Sequence, residues 1–224
     1  MIRLYHGSTR IIRHPEFGVG NPRNDYGLGF YCTENIEIAK EWACTDDRSG
    51  FANSYDLVTD GLSWLNLNGG EYHILNWLAI LLDNRIFDLG EGLPFRAKRF
   101  VLDRFLPAYK DFDIIRGYRA DDSYFTFSKD FLGGTISLGQ LSEAMRLGRL
   151  GEQIVLKSPK AFEAMRFVEA VRADRDSYYP RRMARDRKAR EDYRRKRSEA
   201  VAEEGIFIID IIRQGWDNDD ARLR

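Results

Sequence analysis

The sequence predicts an α+β fold, and three observations carry that prediction. Short runs of β-branched and aromatic residues are interspersed with longer stretches whose apolar residues recur every three to four positions. The two kinds do not alternate in the regular strand–helix–strand rhythm of a parallel α/β sheet. The chain has 224 residues, 43% of them hydrophobic and 13% aromatic, which suffices for a core of ordinary size. A single domain over 1–224 is expected, with its core at about 2–171 and a charged helix and final strand over 172–213.

Ile2 to His6 reads as an opening strand, and the Gly-, Pro- and Asn-rich stretch from His14 to Gly29 as a loop. Phe30-Tyr31-Cys32-Thr33 follows as a second strand. Thr33 or Asn35 can cap the next helix, whose apolar residues Ile36, Ala39, Trp42 and Ala43 fall at helical spacing. Tyr55-Asp56-Leu57-Val58 and Leu62 to Leu67 read as a strand pair around the turn Thr59-Asp60-Gly61. Tyr72 to Leu82 reads as a buried helix and Asp113 to Tyr118 as a strand. Ser137 can cap a helix carrying Leu141, Ala144, Met145 and Leu147. Gly148 and Gly151 then precede a strand, Gln153-Ile154-Val155-Leu156. Phe162 to Val171 reads as a helix, Ile206 to Ile212 as a strand, and the tail from Trp216 as polar and frayed.

Composition narrows the function classes. The chain has 35 basic and 35 acidic residues, so no whole-surface attraction draws it to nucleic acid or membrane. Its longest apolar runs are too short to span a bilayer. The start reads directly as a strand, with no signal peptide. Cys32 and Cys44 lack metal-ligand spacing and read as free thiols in a reducing compartment. A soluble cytoplasmic protein without a metal site is expected.

Three segments carry candidate chemistry: Leu4-Tyr5-His6-Gly7-Ser8, Tyr26-Gly27-Leu28-Gly29-Phe30-Tyr31-Cys32-Thr33, and Gly151-Glu152-Gln153-Ile154-Val155. Each alone has a plain structural reading. His6 can be a satisfied histidine at a strand end, Tyr26 and Tyr31 core aromatics, and Glu152 and Gln153 surface polar residues. Gly27 and Gly29 fail the spacing of a dinucleotide-binding glycine turn.

Together and in this order the segments resemble the ADP-ribosyltransferase superfamily, in the branch shared by diphtheria-like toxins and poly-ADP-ribose polymerases. The resemblance is strongest to a bacterial family of unknown function within it. It includes Ala39-Lys40-Glu41-Trp42-Ala43 and Ala120-Asp121-Asp122, and covers roughly residues 2–168. It implies a split β-sheet core with peripheral helices, NAD⁺ as substrate, and transfer of ADP-ribose to a macromolecule. His6 then resembles the residue that hydrogen-bonds a ribose hydroxyl. Gly7 matches the position whose backbone pairs with the nicotinamide amide, with Ser8 beside it. Tyr31 matches the aromatic that stacks on nicotinamide, and Tyr26, near Gly29, would close the other side. At the third position the polymerase pattern favours Glu152 and the bacterial family favours Gln153. Neighbours on a strand face opposite ways, so only one enters a cleft, and Gln153 is the expected one. Glutamine can place the ribose but carries no charge, which Asp121 or Asp122 could supply. A capped turn is the other reading of those two aspartates.

From Arg172 to Arg197, twelve Arg or Lys stand against five Asp or Glu. A long surface helix is expected there. Its cations could track an RNA or DNA backbone, with Tyr178 and Tyr179 stacking on bases. The plainer reading is a solvated face with self-paired charges such as Asp186 and Arg190. The expected activity is mono-ADP-ribosyl transfer by a bacterial toxin or phage-defence enzyme, to protein or nucleic acid, with a neutralising antitoxin partner implied by the resemblance. The alternatives are a catalytically weak NAD⁺- or ADP-ribose-binding module, an NAD⁺ glycohydrolase, and a nucleic-acid-binding domain.

Overall fold

The structure is a computed structural model. It describes residues 1–120, 122–145, 151–199 and 205–223, with side chains left out at 122–124 and 196–199. The fold is α+β, built on two mostly antiparallel sheets. The first has three strands in the order β1 (Ile2–Ser8), β3 (Gly50–Leu57) and β7 (Met165–Ala173). The second has four, in the order β2 (Phe30–Cys32), β6 (Glu152–Leu156), β5 (Ile114–Tyr118) and β4 (Trp64–Asn66). All neighbours run antiparallel except β4 and β5. A single bridge between Tyr5 and Thr33 ties the sheets together.

Side-chain alternation on β5 and β6 divides the interior in two. Ile114, Ile154 and Leu156 face the first sheet, where they pack with Leu4, Cys32 and Leu57. Ile115 and Val155 face the larger core. That core is filled from α2 (Ile74–Asn84), α3 (Leu93–Phe105), α4 (Asp122–Leu132), α5 (Leu138–Ala144) and α8 (Ile208–Gln214). In α2, Ile74 to Leu82 are buried all round, as expected of a helix inside a core. The helix α1 (Ile36–Ala43) is capped by Asn35, whose Oδ1 accepts from Glu37 N–H at 2.9 Å, and it lies on β1. The short α6 (Pro159–Glu163) is capped by Ser158.

Several expectations from the sequence are corrected. Residues 55–58 and 62–67 do form strands, but β3 and β4 lie in different sheets. Asp113 draws β4 towards β5, because its carboxylate accepts from Ser63 N–H at 2.8 Å. The segment 162–171 is not a helix. It ends α6 and becomes β7, a nine-residue edge strand whose register on β3 runs from Gly50↔Ala173 to Leu57↔Met165. Its apolar spacing suits either state, and the ladder with distant β3 decides. The segment 206–212 is not a strand but mostly α8. Asp210 accepts from Phe207 N–H, Ile208 and Ile211 are buried three apart, and Gly215 closes the helix in the left-handed conformation. The tail is docked, not frayed: Trp216 and Leu223 are buried, and Asn76 donates to Asn218. The expected long helix is present as α7 (Arg175–Glu199).

Candidate functional site

A cleft of about 200 Å³ lies beside the Tyr5–Thr33 bridge and is lined from both sheets. β1 contributes His6 and Gly7, β2 contributes Tyr31, and β6 contributes Gln153. The loop before β2 adds Asn24 and Asp25, and α1 adds Trp42. Arg85 comes from the end of α2, and Arg119 and Ala120 follow β5. Four residues singled out by the resemblance, distant in sequence, therefore line one cavity.

Each has a structural cause. Gly7 packs under α1 so closely that a Cβ there would lie 2.1 Å from Ala39 O and 2.8 Å from Ala43 N. The backbone edge at Gly7 also faces the cleft. Tyr5 N–H donates to Thr33 O at 2.8 Å and Tyr5 O accepts from Thr33 N–H at 2.9 Å, so Tyr5 turns both groups away from β3. Backbone direction repeats every second residue. Gly7 thus presents an N–H and a C=O to the gap between the sheets.

The His6 ring stacks on Phe30 with centroids 4.3 Å apart. Its Nδ1 lies 2.7 Å from Tyr31 O. A carbonyl only accepts, so Nδ1 carries the proton. Burial lowers the pKa of His6, opposed by that hydrogen bond. The ring is then neutral near pH 7, and Nε2 is the acceptor it can offer. The Tyr31 hydroxyl donates to Gly27 O at 2.6 Å and accepts from Tyr26 N–H at 3.1 Å. That pins the turn before β2 and leaves the ring as a wall. Burial pushes its phenol far above the usual range.

Gln153 is buried at 4% exposure. Its Nε2 donates to Asp25 Oδ2 at 2.9 Å and to Tyr118 O at 3.4 Å. Asp25, 5% exposed, also accepts from Ala120 N–H at 2.9 Å and pairs with Arg85 at 2.9–3.0 Å. Arg119 lies over the Trp42 ring, 4.2 Å from its centroid, beside the cleft. Asp25, Arg85 and Arg119 carried no motif signal, because loops and the end of a helix bring them here, whereas Trp42 stands in the 39–43 segment of the resemblance without an expected site role.

Other expected site residues stand elsewhere. Tyr26 does not close the cleft. It is fully buried, donates to Tyr118 O at 2.6 Å and accepts from Trp77 Nε1–H at 3.0 Å. Its role is to peg the loop to β5 and α2. Gly29 lies against β6, where a Cβ would meet Val155 Cγ1 at 2.7 Å, so close strand approach requires it. Ser8 bonds to Arg10 O and receives a hydrogen bond from Asn53, outside the cleft. Glu152 points to the other face of β6, into a network with Arg116 and Asn68, while Arg116 reaches Glu34 at 2.7 Å. Strand alternation accounts for this, and Gln153 is the member of the pair that enters. Asp121 lies outside the described residues, as does the Asp122 side chain. The carboxylate found beside Gln153 is that of Asp25.

The basic helix α7 is anchored on α1. Arg185 forms an ion pair with buried Glu41 at 2.8 Å, and Arg181 and Tyr178 reach Glu37. Arg190 pairs with Asp186, and Lys188 and Arg195 with Asp192. Both cysteines are buried and reduced, and burial raises both thiols. Among the described residues no group of three or more His, Cys, Asp or Glu could hold a metal ion. No helix among them is long and apolar enough to cross a membrane.

Comparison with known proteins returned no match among curated proteins and none among solved structures. One family model matches residues 2–167, about three quarters of the chain, with β1 to β6 and the start of β7. On that match, the chain belongs to the family described as "Protein of unknown function (DUF3990)".

Proposed function

We propose that the protein binds NAD⁺ in this cleft and transfers its ADP-ribose group to a macromolecular acceptor. The observation that carries the reading is the convergence of His6, Gly7, Tyr31 and Gln153 on one cavity. The backbone edge of Gly7 offers a donor and an acceptor, as a carboxamide requires. Tyr31 gives nicotinamide an aromatic wall. His6 Nε2 and Gln153 Oε1 are both acceptors for ribose hydroxyls. Drug-sized ligands fill pockets of roughly 300–1,000 Å³, so a cavity of about 200 Å³ takes the nicotinamide-ribose end alone. Arg119, which also lines the cleft, is a cation that a pyrophosphate could meet.

In the reaction the bond from ribose C1′ to the nicotinamide nitrogen breaks, and its electron pair leaves with nicotinamide. Positive charge develops on the ribose and is met by the acceptor oxygens of the cleft, held in place before reaction. The acceptor's nucleophile then bonds to C1′ and gives up its proton to water. Incubation with labelled NAD⁺ and a cell extract tests this reading. Transfer releases nicotinamide and labels material that is sensitive to either protease or nuclease, which identifies the acceptor class. Intact NAD⁺ with no label defeats it.

A second reading has its own support. The carboxylate beside Gln153 is spent on Arg85, Ala120 and Gln153 itself, so this carboxylate offers the ribose no free charge. The cleft would then hold NAD⁺ or ADP-ribose without turnover, and measurable nicotinamide release excludes that.

A further inference from the structure

We propose that Asp25 is a positioning residue: its buried carboxylate fixes the side-chain amide of Gln153 with nitrogen inward and oxygen towards the cleft, and so sets glutamine instead of glutamate at this position. The function of the atom so presented rests on the NAD⁺ reading above. The coupling between the two side chains does not.

The geometry determines the amide's orientation. Both groups near Gln153 Nε2, Asp25 Oδ2 at 2.9 Å and Tyr118 O at 3.4 Å, can only accept. Oε1 is left as the atom Gln153 can present. Asp25 is held in turn from two sides. Ala120 N–H donates to the same Oδ2, and Arg85 pairs with Oδ1. Oδ2 therefore stays an acceptor facing position 153. A glutamate at 153 would place a second carboxylate at hydrogen-bond distance from the first, and two such groups cannot both ionise. Among the described residues, the charged or titratable groups around the pair include Arg85 after α2, Arg119 after β5, His6 on β1, Tyr26 before β2 and Tyr31 on β2.

Exchanging the two functional groups tests the proposal. In Asp25→Asn, Arg85 draws the new amide oxygen to itself. The new NH₂ then faces position 153 and turns the Gln153 oxygen inward. NAD⁺ affinity, read by calorimetry, is expected to fall ~tenfold, the loss of one well-placed hydrogen bond. Asp25→Asn/Gln153→Glu again presents an oxygen to the cleft and, although Ala120 N–H and Tyr118 O lose their partners, is expected to bind at least about threefold more tightly than Asp25→Asn alone.

Thermal unfolding without ligand tests the coupling independently. In Gln153→Glu the carboxylates share a proton, so the folded state holds that proton above the ordinary carboxylate pKa of about 4.3. Melting temperature relative to wild type then falls as pH rises from about 4 towards 8. The exchanged double variant has one carboxylate and lacks this fall. A Gln153→Glu difference that is flat with pH, or an Asp25→Asn protein that binds NAD⁺ like wild type, overturns the proposal. If wild type takes no NAD⁺ while the unfolding results come out as expected, the coupling stands and the NAD⁺ reading is what fails.

Discussion

At the scale of single residues, the cleft works through acceptors whose directions are fixed by neighbours. His6 is the clearest case. Its Nδ1–H is committed to Tyr31 O, and burial holds its pKa below 6.5. The folded ring therefore stays mostly neutral as pH falls from 8 to about 7, and NAD⁺ affinity measured by calorimetry should be flat over that range. Stability behaves differently. Below pH 6.5 the unfolded chain protonates His6 before the folded one does, so stability declines as pH drops through that value. His6→Gln should lack this component when melting temperatures are compared between pH 7.5 and 5.5. Tyr31 separates two roles. Tyr31→Phe keeps the ring and loses the bonds to Gly27 and Tyr26, at ~1–2 kcal/mol of stability with NAD⁺ binding largely kept. Tyr31→Ala should lose binding. The sequence made these residues legible because strand ends place short motifs in order. Asp25 was not legible. A lone aspartate in a Gly- and Asn-rich loop has the local signature of a turn, and only the closing of β6 on β5 makes it the partner of Gln153.

At the scale of elements, the site depends on how α1 lies on β1. Gly7→Ala drives a methyl into Ala39 O and Ala43 N, both rigid helix backbone. A cost of ~3 kcal/mol or more is expected by urea denaturation, and with it loss of the cleft wall formed by Trp42. From the other side α1 is held by α7, and its two ion pairs differ in kind. Glu41 is buried, so Arg185→Met leaves an uncompensated carboxylate and should cost ~3 kcal/mol. Arg181 and Glu37 are both largely exposed, and Arg181→Met should cost less than about 1 kcal/mol. Element identity was legible wherever a cap or a period acted locally, as in α1, the strand β5 and α5. It failed where a distant partner decided. The apolar residues of 162–171 fit helix and strand alike until β3 supplied a ladder. The isoleucines of 206–212 read as a strand, although Asp210 and Gly215 mark the ends of a helix. Among the described residues, α3 and α4 gave no reading at all, since their apolar stripes are interrupted by Arg, Lys, Ser and Asp.

At the scale of the whole molecule, the cleft is lined from both sheets, which meet at the Tyr5–Thr33 bridge. The packing that sets their separation lies behind the bridge, among Leu4, Leu57, Ile114, Ile154 and Leu156. A ligand in the cleft would touch both sheets, so binding and global stability are linked. If the cleft is an NAD⁺ site, NAD⁺ at a hundredfold excess over its dissociation constant stabilises the fold by about 2.7 kcal/mol. Ile154→Ala, behind the bridge, should cost ~3 kcal/mol by emptying a buried side chain that no ligand touches. The two perturbations separate architecture from recognition. Ile154→Ala lowers the melting temperature of free and NAD⁺-loaded protein alike, provided the sheets keep their spacing. Tyr31→Ala and Asp25→Asn instead shrink the gap between the free and loaded melting temperatures. A melting temperature unmoved by millimolar NAD⁺ in the wild-type protein would remove the link and leave the convergence of His6, Gly7, Tyr31 and Gln153 without a nicotinamide ligand to explain it.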